Sequence, residues 1–225
     1  MAYYSRGPEW ESGQRTRVGG APSTFNPQRP TANGHGPSQT RAMIQIVVSE
    51  VVSDVEVLIE ERVLQRRVSE MGEELTRDLS GRSPIFVGIL RGGAIFHADL
   101  VRQVDLMLKI DYISVKSYGH ASRSSSEVQL VNDLESSIRG QDVVLVEDIV
   151  DTGLTISYLV RSLLTRQPRS LSVCALLSKP ARRQVDVEID HLGFEVPDRF
   201  IVGYGLDYSE RYRNLPYVGW LKVKG

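Results

Sequence analysis

The chain has 225 residues, 41% of them hydrophobic, enough to bury one substantial core. Its 27 Lys and Arg against 28 Asp and Glu give a formal net charge of -1, which disfavours a dedicated nucleic-acid or membrane-surface binder held by nonspecific charge. A single cysteine, Cys174, allows no internal disulfide, the histidines (His35, His97, His120, His191) lack zinc spacing, and neither a signal peptide nor a membrane-spanning run is seen, so a cytoplasmic protein is expected.

Residues 1–40 contain six Gly and five Pro, and Val18 is their only Ile, Leu, Val or Met after Met1. Such a stretch cannot bury enough surface to offset the entropy of ordering it. Residues 1–43 are therefore expected to be a disordered extension, and residues 44–225 a folded domain. Leu64, Val68, Met71, Leu75 and Leu79 recur at helical steps and predict an amphipathic helix ending near Ser80 and Gly81. Pro84 opens a short apolar strand, Ile85 to Leu90, followed by Arg91-Gly92-Gly93 and a helix from Ala94 to Arg102. Leu108 to Tyr118 reads as a strand, Val143 to Val146 as a fully apolar strand, Thr155 to Arg166 as a helix, and Leu171 to Leu177 as another strand. Strands alternating with helices imply an α/β fold with a mostly parallel sheet covered on both faces. In such sheets ligands bind beyond the carboxyl ends of the strands.

The residues after Val146 are Glu147-Asp148-Ile149-Val150-Asp151-Thr152-Gly153-Leu154-Thr155. Adjacent carboxylates at a buried strand end can bind a vicinal diol such as ribose, directly or through a divalent cation. Thr152, Gly153 and Thr155 at a helix N-terminus offer backbone N–H groups and hydroxyls that suit a phosphate dianion. Taken singly, Asp151 or Thr155 could be only a helix cap and Glu147-Asp148 only a solvated strand end. Thirteen successive positions carrying all of these features together favour a site.

This run resembles the phosphoribosyl-pyrophosphate motif of the type I phosphoribosyltransferase family, and residues 50 to 225 resemble its hypoxanthine-guanine branch. The resemblance implies that fold, with a small hood region beside the main sheet. It also implies a Mg2+-dependent purine-salvage transfer of phosphoribosyl from its 1-pyrophosphate to a 6-oxopurine, hypoxanthine or guanine. Glu147 and Asp148 would then contact the ribose hydroxyls and magnesium, and Asp151 would be the general base toward purine N7. Thr152, Gly153, Leu154 and Thr155 would cradle the 5′-phosphate. Arg91 and Gly92 would meet pyrophosphate, with Arg91-Gly92 as a non-proline cis peptide. Ser117 and Tyr118 would lie in a mobile loop that closes over the transition state. Lys179, Phe200, Ile201 and Asp207 would bind the purine, Asp207 also holding a second magnesium, and Arg213 would touch pyrophosphate. A homodimer or homotetramer is implied as well.

The residue chemistry agrees in several places. An ammonium at Lys179 donates but cannot accept, so it favours a 6-oxo over a 6-amino group. Phe200 can stack on a purine, although core packing is the simpler expectation for a lone Phe. From composition alone, Lys116 to Ser126 would be only an exposed hairpin loop. Cys174 and His97 are expected to be packing residues. Two alternatives stay open: an RNA-binding regulator that keeps the transferase fold, and a transferase specific for xanthine or a pyrimidine.

Overall fold

The computed structural model describes residues 54–118 and 127–222. The expected extension lies outside them. Elements follow in the order β1 (Val55–Ile59), α1 (Glu61–Asp78), β2 (Ile85–Leu90), α2 (Ala94–Val101), β3 (Lys109–Tyr118), β4 (Glu127–Asn132), β5 (Asp142–Val150), α3 (Leu154–Leu164), β6 (Ser170–Ser178), β7 (His191–Glu195), β8 (Ile201–Val202) and β9 (Val218–Leu221). A single 3-10 turn, Pro180–Arg182, follows β6.

Six strands form the main sheet in the order β4-β3-β2-β5-β6-β7. All its pairings are parallel except β3 with β4. The α/β class expected from the strand–helix alternation is therefore the observed one. Apolar periodicity decides which face each helix covers. Leu64, Val68, Met71 and Leu75 of α1 are fully buried and join Phe96 and Leu100 of α2 against Phe86, Val144, Val146 and Cys174. Complete burial of each such side chain contributes about 1.5–3 kcal/mol. Ile156, Leu159 and Leu163 of α3 pack on the opposite face against Val87, Val143, Leu145 and Val173. Cys174 is a core filler, and burial pushes its thiol pKa up. His97 is likewise buried, its Nε2 3.2 Å from the Phe86 carbonyl oxygen.

The hood is a three-stranded antiparallel sheet, β1-β9-β8, which joins the first described strand to the last. Ile201, Tyr204, Leu206 and Val218 tie it to the core on the α1–α2 face.

The strand order also marks where a ligand belongs. β2 and β5 are neighbours, yet the chain leaves β2 through α2 toward β3 and leaves β5 through α3 toward β6, on the other side. The crevice beyond the carboxyl ends of two strands that diverge this way is the usual binding place in open α/β sheets. Here it is bounded by Arg91-Gly92-Gly93 and by the residues following Val150.

Candidate active site

β5 is longer than its apolar run and carries Glu147 and Asp148 within the strand. Strand alternation therefore sends the two carboxylates to opposite faces. Asp148 lies on the side of α2, against Gly92, where an added Cβ would overlap its carboxylate. Glu147 points to the α3 side, into a small cavity of about 70 Å³ that Asp151, Thr152, Gly153 and Thr155 also line. The two carboxylates therefore flank the strand end from opposite sides, Asp148 beside Gly92 and Glu147 beside the turn that enters α3. Both carboxylates are buried, at 8% and 7% exposure. Burial, reinforced by the Asp148 charge, raises the Glu147 pKa well above its usual value. Burial also pushes Asp148 up to about 6, against the lowering effects of the Ile149 N–H and of Arg213. Glu147 Oε2 has no hydrogen-bond partner among the described residues, an unsatisfied acceptor in a buried setting.

The turn after β5 enters α3 at Gly153, whose φ of 84° is one that L side chains rarely adopt. The Thr152 carbonyl accepts from the Gln184 and Val185 N–H groups, so the turn is held from behind by the segment following β6. Parallel register places Val150 opposite Ser178, and the Lys179 N–H donates to the Val150 carbonyl at 3.0 Å. Asp151 and Lys179 are side by side as a result.

They share a cleft of about 390 Å³ with Arg182, Phe200, Ile201, Leu206 and Asp207 among its walls. Lys179 is 6% exposed. Burial lowers its pKa, while the Asp151 charge opposes the shift. Arg182 Nε lies 3.2 Å from Asp151 Oδ1, an ion pair whose geometry leaves that buried oxygen without a hydrogen bond. Phe200 is 47% exposed and meets Tyr208 edge-on at 5.2 Å, so it is a cleft wall rather than the core residue its composition alone suggested. Ile201 is buried in β8 and paired with Trp220.

The loop after β2 is fixed by the Gly93 N–H donating to Ile89 and the Ala94 N–H to Arg91. The cis bond is Leu90-Arg91, one position before the expected Arg91-Gly92. It lies at the junction where β2 ends and the turn begins. Gly205 backs this loop closely, since a Cβ added there would overlap the Gly92 carbonyl oxygen. Arg213 donates to the Gly205 carbonyl at 2.7 Å and pairs with Asp207 Oδ1 at 2.7 Å, while Asp207 Oδ2 accepts from the Glu210 N–H at 2.8 Å. Arg91 pairs with Glu210 at 3.0 Å.

A buried strand end carrying two acids, a turn at a helix N-terminus, and a cleft with the Lys179 ammonium beside the Asp151 carboxylate adjoin one another, Ile149 and Asp151 lining both cavities. The model of the phosphoribosyl transferase domain family matches residues 59–209. The chain belongs to that family. It is 48% identical over 170 residues to the hypoxanthine-guanine phosphoribosyltransferase of Bacillus subtilis, covering 75% of this chain and 94% of that one. It is 46% identical over 167 residues to the hypoxanthine phosphoribosyltransferase of Salmonella typhimurium, covering 73% and 94%. A solved hypoxanthine phosphoribosyltransferase from Staphylococcus aureus superposes with a TM-score of 0.74 at 45% identity, covering 77% of this chain and 95% of the other.

In this phosphoribosyl transferase, Arg91, Gly92, Asp148 and Arg213 gather on the α2 side of the crevice, Asp151, Lys179, Phe200 and Ile201 on the hood side, and Asp207 borders both. Ser117 and Tyr118, placed in a loop by the resemblance, lie in the strand that the residue pattern from Leu108 to Tyr118 predicts. They end strand β3, paired with Val128 and Glu127 of β4, because the polar stretch forms the arms of a hairpin. The expected closing loop at 119–126 lies outside the described residues. Sequence reasoning missed Arg182, Glu210 and Tyr204. Tyr204 donates its hydroxyl proton to Asp99 Oδ2 at 2.6 Å, anchoring the hood loop to α2. The adjacent arginines 182 and 183, two residues past the Lys179-Pro180 strand end, were the available signal for the first.

Proposed function

We propose that the chain performs purine salvage, transferring phosphoribosyl from 5-phosphoribosyl 1-pyrophosphate to hypoxanthine or guanine to give the nucleotide and pyrophosphate. The observation that carries this is the cleft that sets the Lys179 ammonium and the Asp151 carboxylate side by side beneath Phe200. A 6-oxopurine presents an acceptor at O6 and a proton at N7, the complement of that donor and that acceptor. A new C1′–N9 bond replaces the C1′–oxygen bond to pyrophosphate, and Asp151 takes the proton the purine gives up. Thr152 through Thr155 hold the 5′-phosphate at the α3 N-terminus. Arg91, Gly92 and Arg213 hold the pyrophosphate. Ile201 offers backbone contacts to the base, and Asp207 borders both subsites. Ser117 and Tyr118 belong to the hairpin that closes on the sugar.

Magnesium fits this site as a metal held jointly with the ligand. On the α3 side Glu147 Oε2 is a buried, unsatisfied hard donor, and on the other side of the strand Asp148 and Asp207 supply carboxylates that would hold an ion separately. Among the described residues no three acids or histidines converge as a cage. Mg2+ commonly needs only one or two carboxylates together with substrate phosphates. When bound, the ion would neutralise charge developing on the departing pyrophosphate. The same reading takes the enzyme as a cytoplasmic homodimer or homotetramer, with residues 1–43 as an extension ahead of the catalytic domain. No described helix is long and apolar enough to cross a membrane.

The test is steady-state nucleotide formation with hypoxanthine, guanine, xanthine, adenine and uracil, each with and without Mg2+. Turnover with hypoxanthine or guanine and little with adenine is expected. Turnover confined to xanthine or uracil would reassign the acceptor.

A further inference from the structure

Resting on the phosphoribosyl-transfer reading, we propose that Glu210 is a built-in counter-anion, seated between the two arginines of the pyrophosphate subsite and displaced when a diphosphate-bearing ligand arrives. Its Oε1 lies 3.0 Å from Arg91 and its Oε2 3.6 Å from Arg213, so one carboxylate spans cations from two loops far apart in sequence. A bridging phosphate would span them in the same way.

Arg213 does not need Glu210 for its position. It donates to the Gly205 carbonyl at 2.7 Å and pairs with Asp207 at 2.7 Å. The Glu210 backbone is fixed independently by its N–H bond to Asp207 at 2.8 Å. The side chain is free to leave without unravelling the turn. Arg91 and Glu210 are 71% and 61% exposed, so their pair is weak and screened by salt. A diphosphate carries more charge and more acceptor oxygens than a carboxylate and wins the exchange. Glu210 therefore keeps the two arginines gathered and their charge near neutral until a diphosphate displaces it, and opposes the retention of released pyrophosphate.

This role predicts a gain of affinity on removing the charge, which a merely structural residue would not give. Pyrophosphate is titrated by calorimetry, with Mg2+, into wild type, Glu210→Gln and Glu210→Asp. Melting curves confirm folding, and KM and kcat are measured alongside. Glu210→Gln should bind pyrophosphate roughly 3- to 10-fold tighter at low salt, about the worth of two exposed ion pairs. The gain should shrink as ionic strength rises. KM for the phosphoribosyl donor should fall while kcat does not rise, as expected for stronger ground-state binding. Glu210→Asp keeps the charge but withdraws it by one methylene, and should fall between the other two. Wild-type binding that is unchanged or weakened in both variants overturns the counter-anion alone. Absence of pyrophosphate binding by all three proteins overturns the transfer reading and the counter-anion with it.

Discussion

Replacing Gly205 with Ala tests how the hood seats the loop that follows β2. Gly205 has φ 101°, and an added Cβ would overlap the Gly92 carbonyl oxygen, a backbone atom with no side-chain torsion to relieve the contact. A non-glycine residue held in such a backbone region costs about 1–3 kcal/mol. Overpacking of a close contact adds about 1–3 kcal/mol. A destabilisation of about 4 kcal/mol lowers the melting temperature by about 8–16 °C in a domain of this size, at about 2–4 °C per kcal/mol. Gly140→Ala is the control, because Gly140 also has a positive φ, 68°, but nothing lies within 4 Å of its added Cβ. That variant should lose only the backbone term, about 1 kcal/mol, and keep its activity. If Gly205→Ala still folds at the assay temperature, it should lose roughly 100-fold in kcat/KM for the phosphoribosyl donor, as expected when a positioning loop moves by about 1 Å. The assays are thermal denaturation and donor-dependent initial rates. Equal melting losses for the two glycine variants would refute the claim that the hood and the loop are in contact.

Asp151→Asn should lower turnover by about 10²- to 10⁴-fold, the range of general-base contributions, with donor affinity within a few-fold of wild type; near-normal turnover removes Asp151 from proton transfer. Lys179→Ala should weaken purine binding far more than donor binding, and equal loss for both would displace Lys179 from the base subsite. His97 titrates below its ordinary 6.5 because burial disfavours its charged form, partly offset by the Phe86 carbonyl. The unfolded chain therefore binds the extra proton first, so His97 contributes stability that is present above 6.5 and lost as the pH falls below it. His97→Phe should lose less melting temperature than wild type between pH 7.5 and pH 5; identical losses would contradict this assignment.

Much of the main sheet was legible because its strands are short apolar runs followed by charged or glycine-rich turns. Val143 to Val146 is the clearest case, and Leu64 to Leu79 fixed α1 by spacing alone. The full extent of β5 was not legible, since Glu147 and Asp148 interrupt the apolar run although they stay in the ladder. Their opposite orientation follows from that extension. The hood strands were not individually legible because their partners are remote, Val55 pairing with Leu221 across most of the chain. The strand reading of Leu108 to Tyr118 matches β3 to within one residue, and only the family resemblance places Ser117 and Tyr118 in a loop. Glu210 and Tyr204 carry no local signal, and Arg182 only the weak one of its neighbour Arg183, for each acts through a partner brought close only by folding.

The most direct test is a calorimetric titration of 5-phosphoribosyl 1-pyrophosphate, with Mg2+, into the folded 225-residue chain. Saturable heat with one site per chain, abolished when Thr152 and Thr155 are both replaced by Val, is the expected result. No heat from the wild-type protein, or undiminished binding by the double variant, would contradict the assignment of the turn after β5 as the anchor of the sugar phosphate.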